Sequence, residues 1–382
     1  MSGGIVQLVA TGAQDAWLTG KPEVSFFRSS YKRYTHYANS PERQLIQGNP
    51  SAGNISTIRL EKKGDLINYM YLIAKDPSGS LIPNVNWTNV IDKIELLIGG
   101  QIVDTQDITW MSNVEAVTGA QNFSQRYLNN NTSGPTNNTN GFLPLKFFFC
   151  KDWNVSLPLV ALQYHDVEIR ITWSTNLGST LTVFNGTTTA ALAYSTFQYE
   201  AWTNFVYLDQ AEREYFANTP MDLLITQVNR IPIATTNMQE LALAHPIKFL
   251  AFSSNNYTYS YSVPGQVAPF NYQFKTQING VDIGDSRSTF QWIDVPQYYH
   301  TPYGYNHNGA TANVALISYC LDTSKLQPTG TLNFSRIDTY RIVAPAGVSL
   351  STLAGGAGRY FYAMNYNVLR IKDGMGGLLY SN

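Results

Sequence analysis

Apolar and polar residues alternate with a period of two along much of this chain. In 167–173 (VEIRITW), Val167, Ile169, Ile171 and Trp173 share one face, while Glu168, Arg170 and Thr172 share the other. In 91–98 (IDKIELLI), Ile94, Leu96 and Ile98 oppose Lys93 and Glu95. Strands with one apolar face are what a two-sheet sandwich requires. The segments 66–74 (LINYMYLIA) and 359–371 (RYFYAMNYNVLRI) are apolar on both faces. They predict central strands covered by a second layer or by a neighbouring subunit. One helix stands out: Asp209 can cap it, Glu212 sits three residues on at the capping-box spacing, and Pro220 stops it. It lies just past the middle of the 382 residues, between two strand-rich halves, and reads as a linker.

The halves rhyme. Ile98-Gly99-Gly100-Gln101-Ile102-Val103 and Ile278-Asn279-Gly280-Val281-Asp282-Ile283 share the pattern I-x-G-x-x-[IV]. Gly-Gly and Asn-Gly suit two-residue hairpin turns, whose central residues both take positive φ. The segment 129–141 (NNNTSGPTNNTNG) is a polar low-complexity loop. The tyrosine-rich stretches 253–270 and 298–309 read as further long loops, of the kind that makes contacts.

Composition narrows the class. Charged residues are 13% of the chain, about half the usual share. Aromatics are also 13%, led by 25 tyrosines, so the chain folds around a large core. With 28 glycines and 17 prolines for turns, the expectation is all-β. The net charge of −1 excludes the basic footprint of a nucleic-acid wrapper, so no direct nucleic-acid binding is expected. Arg28, Lys32 and Arg33, interleaved with Tyr31 and Tyr34, fit a partner-facing terminal arm and equally an ordinary solvated segment. Cys150 and Cys320 read as buried free thiols in a reducing compartment. The first residues lack a secretory pattern, and no apolar run approaches the roughly 20 residues of a membrane span. A soluble chain made in the cytosol is expected.

Catalytic signatures are missing. The chain has no G-x-S-x-G elbow, no phosphate-binding P-loop and no H-E-x-x-H. Its histidines (36, 165, 245, 300 and 307) lack metal-ligand spacing, although His300 and His307 share one predicted loop. Asp282 and Asp285 sit by a hairpin turn, where Asp bonds backbone. The expectation is no enzyme, no metal and no cofactor. Several N-x-[ST] sequons occur; Asn86, Asn130, Asn137, Asn185 and Asn256 are the candidate glycosylation positions.

Motifs in series carry a resemblance. The start, 3–37, reads GGIVQLVATGAQDAWLTGKPEVSFFRSSYKRYTHY. Lys63-Gly64-Asp65-Leu66, the hairpin 94–104 (IELLIGGQIVD) and 157–168 (LPLVALQYHDVE) follow. Then come Arg213-Glu214-Tyr215-Phe216, His245-Pro246-Ile247-Lys248, 330–338 (GTLNFSRID) and the ending 365–382 (NYNVLRIKDGMGGLLYSN). In this order they resemble the major capsid proteins of nucleocytoplasmic large DNA viruses, the double jelly-roll family.

The resemblance implies two tandem eight-stranded jelly rolls: 1–208 with an N-terminal arm, a helical linker over 209–220, and 221–382. It implies a pseudo-hexagonal homotrimeric capsomer that tiles an icosahedral shell, assembled in host cytoplasm. Neighbouring capsomers, minor capsid proteins and a nearby inner viral membrane, not spanned, would be its partners. The arm residues Trp17, Phe26, Phe27, Arg28, Tyr31, Lys32, Arg33 and Tyr34 would serve assembly. A minor capsid protein of the same fold, or a β-sandwich module binding carbohydrate or a receptor, are the alternatives.

Overall fold

The alternation at 167–173 is a strand whose odd positions are buried and whose even positions are half-exposed. The computed structural model describes residues 4–5, 12–82, 85–120, 139–184, 189–254, 273–302, 313–353 and 359–380. Met1–His36 form one unit and Tyr37–Asn382 another.

In the larger unit the first half supplies β1 (Tyr37–Gln44), β2 (Ile46–Gln47), β3 (Ile55–Arg59), β4 (Leu66–Lys75) and β5 (Ile91–Ile98). It continues with β6 (Gln101–Asp107), β7 (Phe142–Pro144), β8 (Leu157–Pro158), β9 (Val167–Trp173) and β10 (Gln198–Leu208). A helical segment, α1 (108–118), follows β6. One sheet runs β1-β10-β4-β8, with β7 also beside β4; the facing sheet runs β2-β3-β9-β5-β6.

After the helix α2 (Gln210–Asn218) the second half repeats the plan. Its strands are β11 (Met221–Pro232), β12 (Met238–Glu240), β13 (Pro246–Ser254), β14 (Gln273–Ile278) and β15 (Val281–Ser288). The helix α3 (Thr289–His300) precedes β16 (Asn313–Ser318), β17 (Leu332–Asn333), β18 (Tyr340–Val343), β19 (Tyr360–Lys372) and β20 (Met375–Leu378). One sheet runs β11-β19-β13-β16, with β17 beside β13 and β20 beside β19; the other runs β12-β18-β14-β15. All these pairings are antiparallel, and each half is a jelly roll.

The strand beside β4 is broken into β7 and β8, and the strand beside β13 into β16 and β17. Eight strand positions therefore recur in each roll; among the described residues β2, β20 and two small pairs in the first half, Val85–Asn86 with Thr139–Asn140 and Thr180–Phe184 with Thr189–Ala193, are extras. The two rhyming turns fall at equivalent places, β5–β6 and β14–β15. Gly99 and Gly100 take φ of 57° and 80°, and Asn279 and Gly280 take 51° and 81°, as a two-residue turn between twisted strands needs.

Two clusters form the core. One fills the first roll and extends across the gap to Ile225, Val228, Phe249, Ala251, Tyr362 and Met364 of the second. The other, with Ile247, Leu250, Phe252, Phe274, Phe361 and Ala363, fills the second roll. Hence β13 and β19 are apolar on both faces: one face lines their own roll, the other meets the first roll. The linker helix is present, but Asp209 caps it through Gln210 N (2.8 Å) rather than through the third residue. Helices α1 and α3 correct the expectation of a single helix. Helix α3, opened by a reciprocal capping box between Ser288 and Gln291, runs on through 298–300, expected as loop.

Candidate assembly surfaces and the seam between the rolls

Within Met1–His36, Ala16–Thr19 makes one helical turn. The side chains of Trp17, Phe26 and Phe27 are 90%, 92% and 98% exposed. Arg28, Lys32 and Arg33 are exposed as well, as are Tyr31 and Tyr34. A row of exposed aromatic rings among cations is an unusual surface for a chain to leave in water.

The quoted motifs hold one another. Asp65 of the Lys-Gly-Asp-Leu motif accepts from Leu208 N (2.8 Å) and from Arg213 Nη2 (3.0 Å), while Arg213 Nε lies 2.9 Å from its other oxygen. That fork ties the end of β10 and the linker helix to the start of β4. A second knot joins the β5–β6 turn, residues 163–166 and the C-terminal hairpin. His165 Nδ1 is 2.8 Å from Gly376 O, and Tyr164 N donates to Gly374 O (2.9 Å). Gly99 N donates to Asp166 O (2.9 Å), and a Cβ on Gly99 would run into the His165 imidazole.

Between the rolls lies a seam that is both aromatic and polar. Trp110 of α1, fully buried, stacks on Phe249 (6.2 Å, 11°) and meets Tyr362 at 5.6 Å. Asp107, at the end of β6, caps α1 through Trp110 N (2.7 Å). The same carboxylate accepts from Tyr362 Oη (2.8 Å) and Arg230 Nη1 (3.3 Å) of the second roll. Asp104 accepts from Val228 N (2.8 Å), and the Gln227 amide donates to Val103 O. Burial pushes the Asp104 carboxyl up to about 6 and raises Asp107 too, against the hydrogen bonds that hold their charged forms.

Lys146, Lys151 and Lys248 converge on a cavity of about 90 Å³ beside this seam, facing Glu115. Lys248 is 2% exposed and donates to Thr323 O (2.8 Å) and Lys325 O (2.9 Å). Burial brings its ammonium down to about 8. Lys151 pairs with Glu115 at 3.1 Å. Lys151 and Lys248 are thus held by a carboxylate and by backbone carbonyls, which is the pattern of a structural seam.

Among the described residues, no reaction centre gathers around the sequence candidates. Asp282 is taken up by Lys275 and by the Gln277 amide, which donates at 2.6 Å. Asp285 lies on exposed β15. His300 ends α3, and His307 is outside the described residues. Among the described residues no three His, Cys, Asp or Glu could hold one metal ion, and no helix is long and apolar enough to cross a membrane. Cys150 and Cys320 are free and buried, and burial pushes the Cys150 thiol up to about 12. Asn86 caps a short turn, its carbonyl accepting from Thr88 N (3.2 Å) and Thr88 Oγ1 (2.6 Å). Asn130, Asn137, Asn185 and Asn256 lie outside the described residues. The seam itself went unread in the sequence: Asp107 and Arg230 are 123 residues apart and look like ordinary surface charges.

Known proteins place this architecture. Residues 25–209 match the family described as major capsid protein N-terminus, and 212–377 match large eukaryotic DNA virus major capsid protein. The major capsid protein of Paramecium bursaria Chlorella virus 1 is 31% identical, with all of both chains covered. That of Pyramimonas orientalis virus is 29% identical, again over both full chains. Among solved structures, a chain of the PBCV-1 virus capsid superposes with a TM-score of 0.70 at 27% identity, covering 94% of this chain and all of that one. The Faustovirus major capsid protein shares the fold, with a TM-score of 0.59 at 11% identity, covering 95% of this chain and 94% of that one.

Proposed function

We propose, from the premise that this chain belongs to the family of large eukaryotic DNA virus major capsid proteins, that it builds a virion shell as a homotrimeric capsomer. The supporting observation is the double roll itself, matched over full length to capsid proteins of that family. Two rolls per chain give six similar corners from three copies, which suits a pseudo-hexagonal tile. Domain limits of 1–208, 209–220 and 221–382 divide the chain for this role. In this reading capsomers assemble in host cytoplasm and meet neighbouring capsomers, minor capsid proteins and the surface of an inner viral membrane.

The exposed rings of Phe26 and Phe27 make the arm the segment for contacts beyond the trimer. Negative-stain electron microscopy of the purified protein tests the reading. Three-fold particles of hexagonal outline, about 128 kDa for three chains of 42.6 kDa, are expected. The variant Phe26→Ser/Phe27→Ser should still form them but fail to join them into shells. Dispersed wild-type monomers that bind a glycan saturably would overturn the capsomer in favour of a binding module.

A further inference from the structure

The cavity beside the seam is built from both rolls. The first roll lines it with Glu115, Lys146 and Lys151, and the second with Thr226, Lys248 and Lys325. Its lining carries four ammonium groups against two carboxylates, Glu115 and the half-buried Asp152. Asp322, outside the lining, lies 3.8 Å from Lys325 and offsets it, which leaves an excess of one positive charge. Asp152 is engaged by its own turn, accepting from Asn154 N (2.9 Å) and Nδ2 (2.8 Å). At the buried end, three ammonium groups therefore share the single carboxylate of Glu115. Lys151 repels both Lys146 and Lys248, and burial lowers the proton affinity of those two further.

The same groups keep donors to spare. An ammonium has three N–H bonds to give. Lys151 spends one on Glu115 (3.1 Å), and Lys248 spends two, on Thr323 O and Lys325 O. Lys146, 5% exposed, brings a third ammonium to the same space. Thr226, 7% exposed, brings a hydroxyl that makes no hydrogen bond among the described residues. Cations from two rolls and an unspent hydroxyl thus converge on one enclosed volume. That volume, about 90 Å³, is room for about three waters or one tetrahedral oxyanion, and too little for a nucleotide or a sugar phosphate.

We propose that the cavity binds a free tetrahedral oxyanion of the phosphate class, held by Lys146, Lys151, Lys248 and the Thr226 hydroxyl. Lysine suits such an ion as a point charge with donors that turn to meet its oxygens. The ligands come from both rolls, so the bound ion fastens one roll to the other and stabilises the folded chain by mass action. The excess charge that the fold leaves at the seam is then neutralised by the ion. This site is a property of the single chain and stands apart from the capsomer reading.

Calorimetric titration of the purified protein with inorganic phosphate tests it, at pH 7 and at an ionic strength held constant with chloride. Thermal melts over the same phosphate range give a second readout. One ion per chain should bind, and the melting temperature should rise with phosphate at fixed ionic strength. Lys146→Met should weaken binding about tenfold or more, the loss of one charge-assisted hydrogen bond, and Thr226→Val about fivefold, the loss of a neutral one. Thr226→Val keeps the shape of the side chain and serves if Lys146→Met fails to fold. Lys372→Met, at the exposed end of β19, should bind as wild type does. Phosphate that neither binds nor raises the melting temperature overturns the proposal and leaves a cavity filled by water. Binding that is unchanged in Thr226→Val and in a folded Lys146→Met overturns the site. Phenyl phosphate that binds as tightly as the free ion overturns the enclosed occupant.

Discussion

Trp110 is the side chain whose removal reports most directly on how the rolls are joined. Its ring is fully buried and lies between Phe249 and Tyr362 of the second roll. Taking about 200 Å² of aromatic surface from water at about 25 cal/mol/Å² gives about 5 kcal/mol as an upper bound. Measured Trp-to-Ala costs in cores run about 3–5 kcal/mol, so about 4 kcal/mol is expected for Trp110→Ala. The indole N–H has no hydrogen-bond partner among the described residues. Trp110→Phe gives up some packing but also relieves a buried unpaired donor, so its cost should stay near about 1 kcal/mol. Urea unfolding at one fixed protein concentration measures both, because assembly makes apparent stability depend on concentration. In the alanine variant the single transition should also split as the rolls uncouple. A loss under about 1 kcal/mol for alanine would refute the sealing role. Equal losses for alanine and phenylalanine would mean that the indole N–H is satisfied.

Lys248 gives a pH signature. Its ammonium falls from 10.5 to about 8 on burial, so between those values the unfolded chain binds more protons and stability rises with pH. The gain is about 3 kcal/mol across the window, and Lys248→Met should flatten it in melts at pH 7.5 and 9.5; an unchanged slope would remove Lys248 as its source. Gly99→Ala should cost well over about 2 kcal/mol, since it combines a positive φ with collision against His165; Gly100→Ala, at φ 80° with open space around it, should cost about 1 kcal/mol. Thermal melting of the pair decides, and similar losses would remove His165 from the explanation.

The strands were legible where one face meets water or stays half-exposed, as in Val167–Trp173. The doubly apolar segments were legible as central, though not what covered them. Tyr362 and Met364 serve the seam while Phe361 and Ala363 serve the second core, and nothing local separates those fates. Helix α3 was missed because its residues favour strands: Thr289, Phe290, Tyr298 and Tyr299 are β-formers, and Pro296 sits inside it. The one local signal was Ser288 with Gln291 three residues on. A stronger one was available in the duplication, since a hairpin followed by a capped helix occurs after β6 as well. Asp107 and Ser288 each cap the helix that follows their strand through a backbone N–H three residues on.

The buried charges of the seam follow from how it closes. The seam inside the chain closes once, during folding, with its partners tethered. It can bury Asp107 against Arg230 and Tyr362, because the tether keeps the three groups together and their hydrogen bonds satisfy the carboxylate. A joint between chains must form from faces already in water. A carboxylate there would have to shed its solvent in the encounter, whereas tyrosine rings bury an apolar body and keep a hydroxyl that water can satisfy until contact. The half-exposed outward face of β4 has that second chemistry in Tyr69 and Tyr71, and the exposed side of α3 has it in Tyr298 and Tyr299. The Glu200 carboxylate nearby is held by Arg43 (3.2 Å) and Lys75 (2.9 Å) on its own roll.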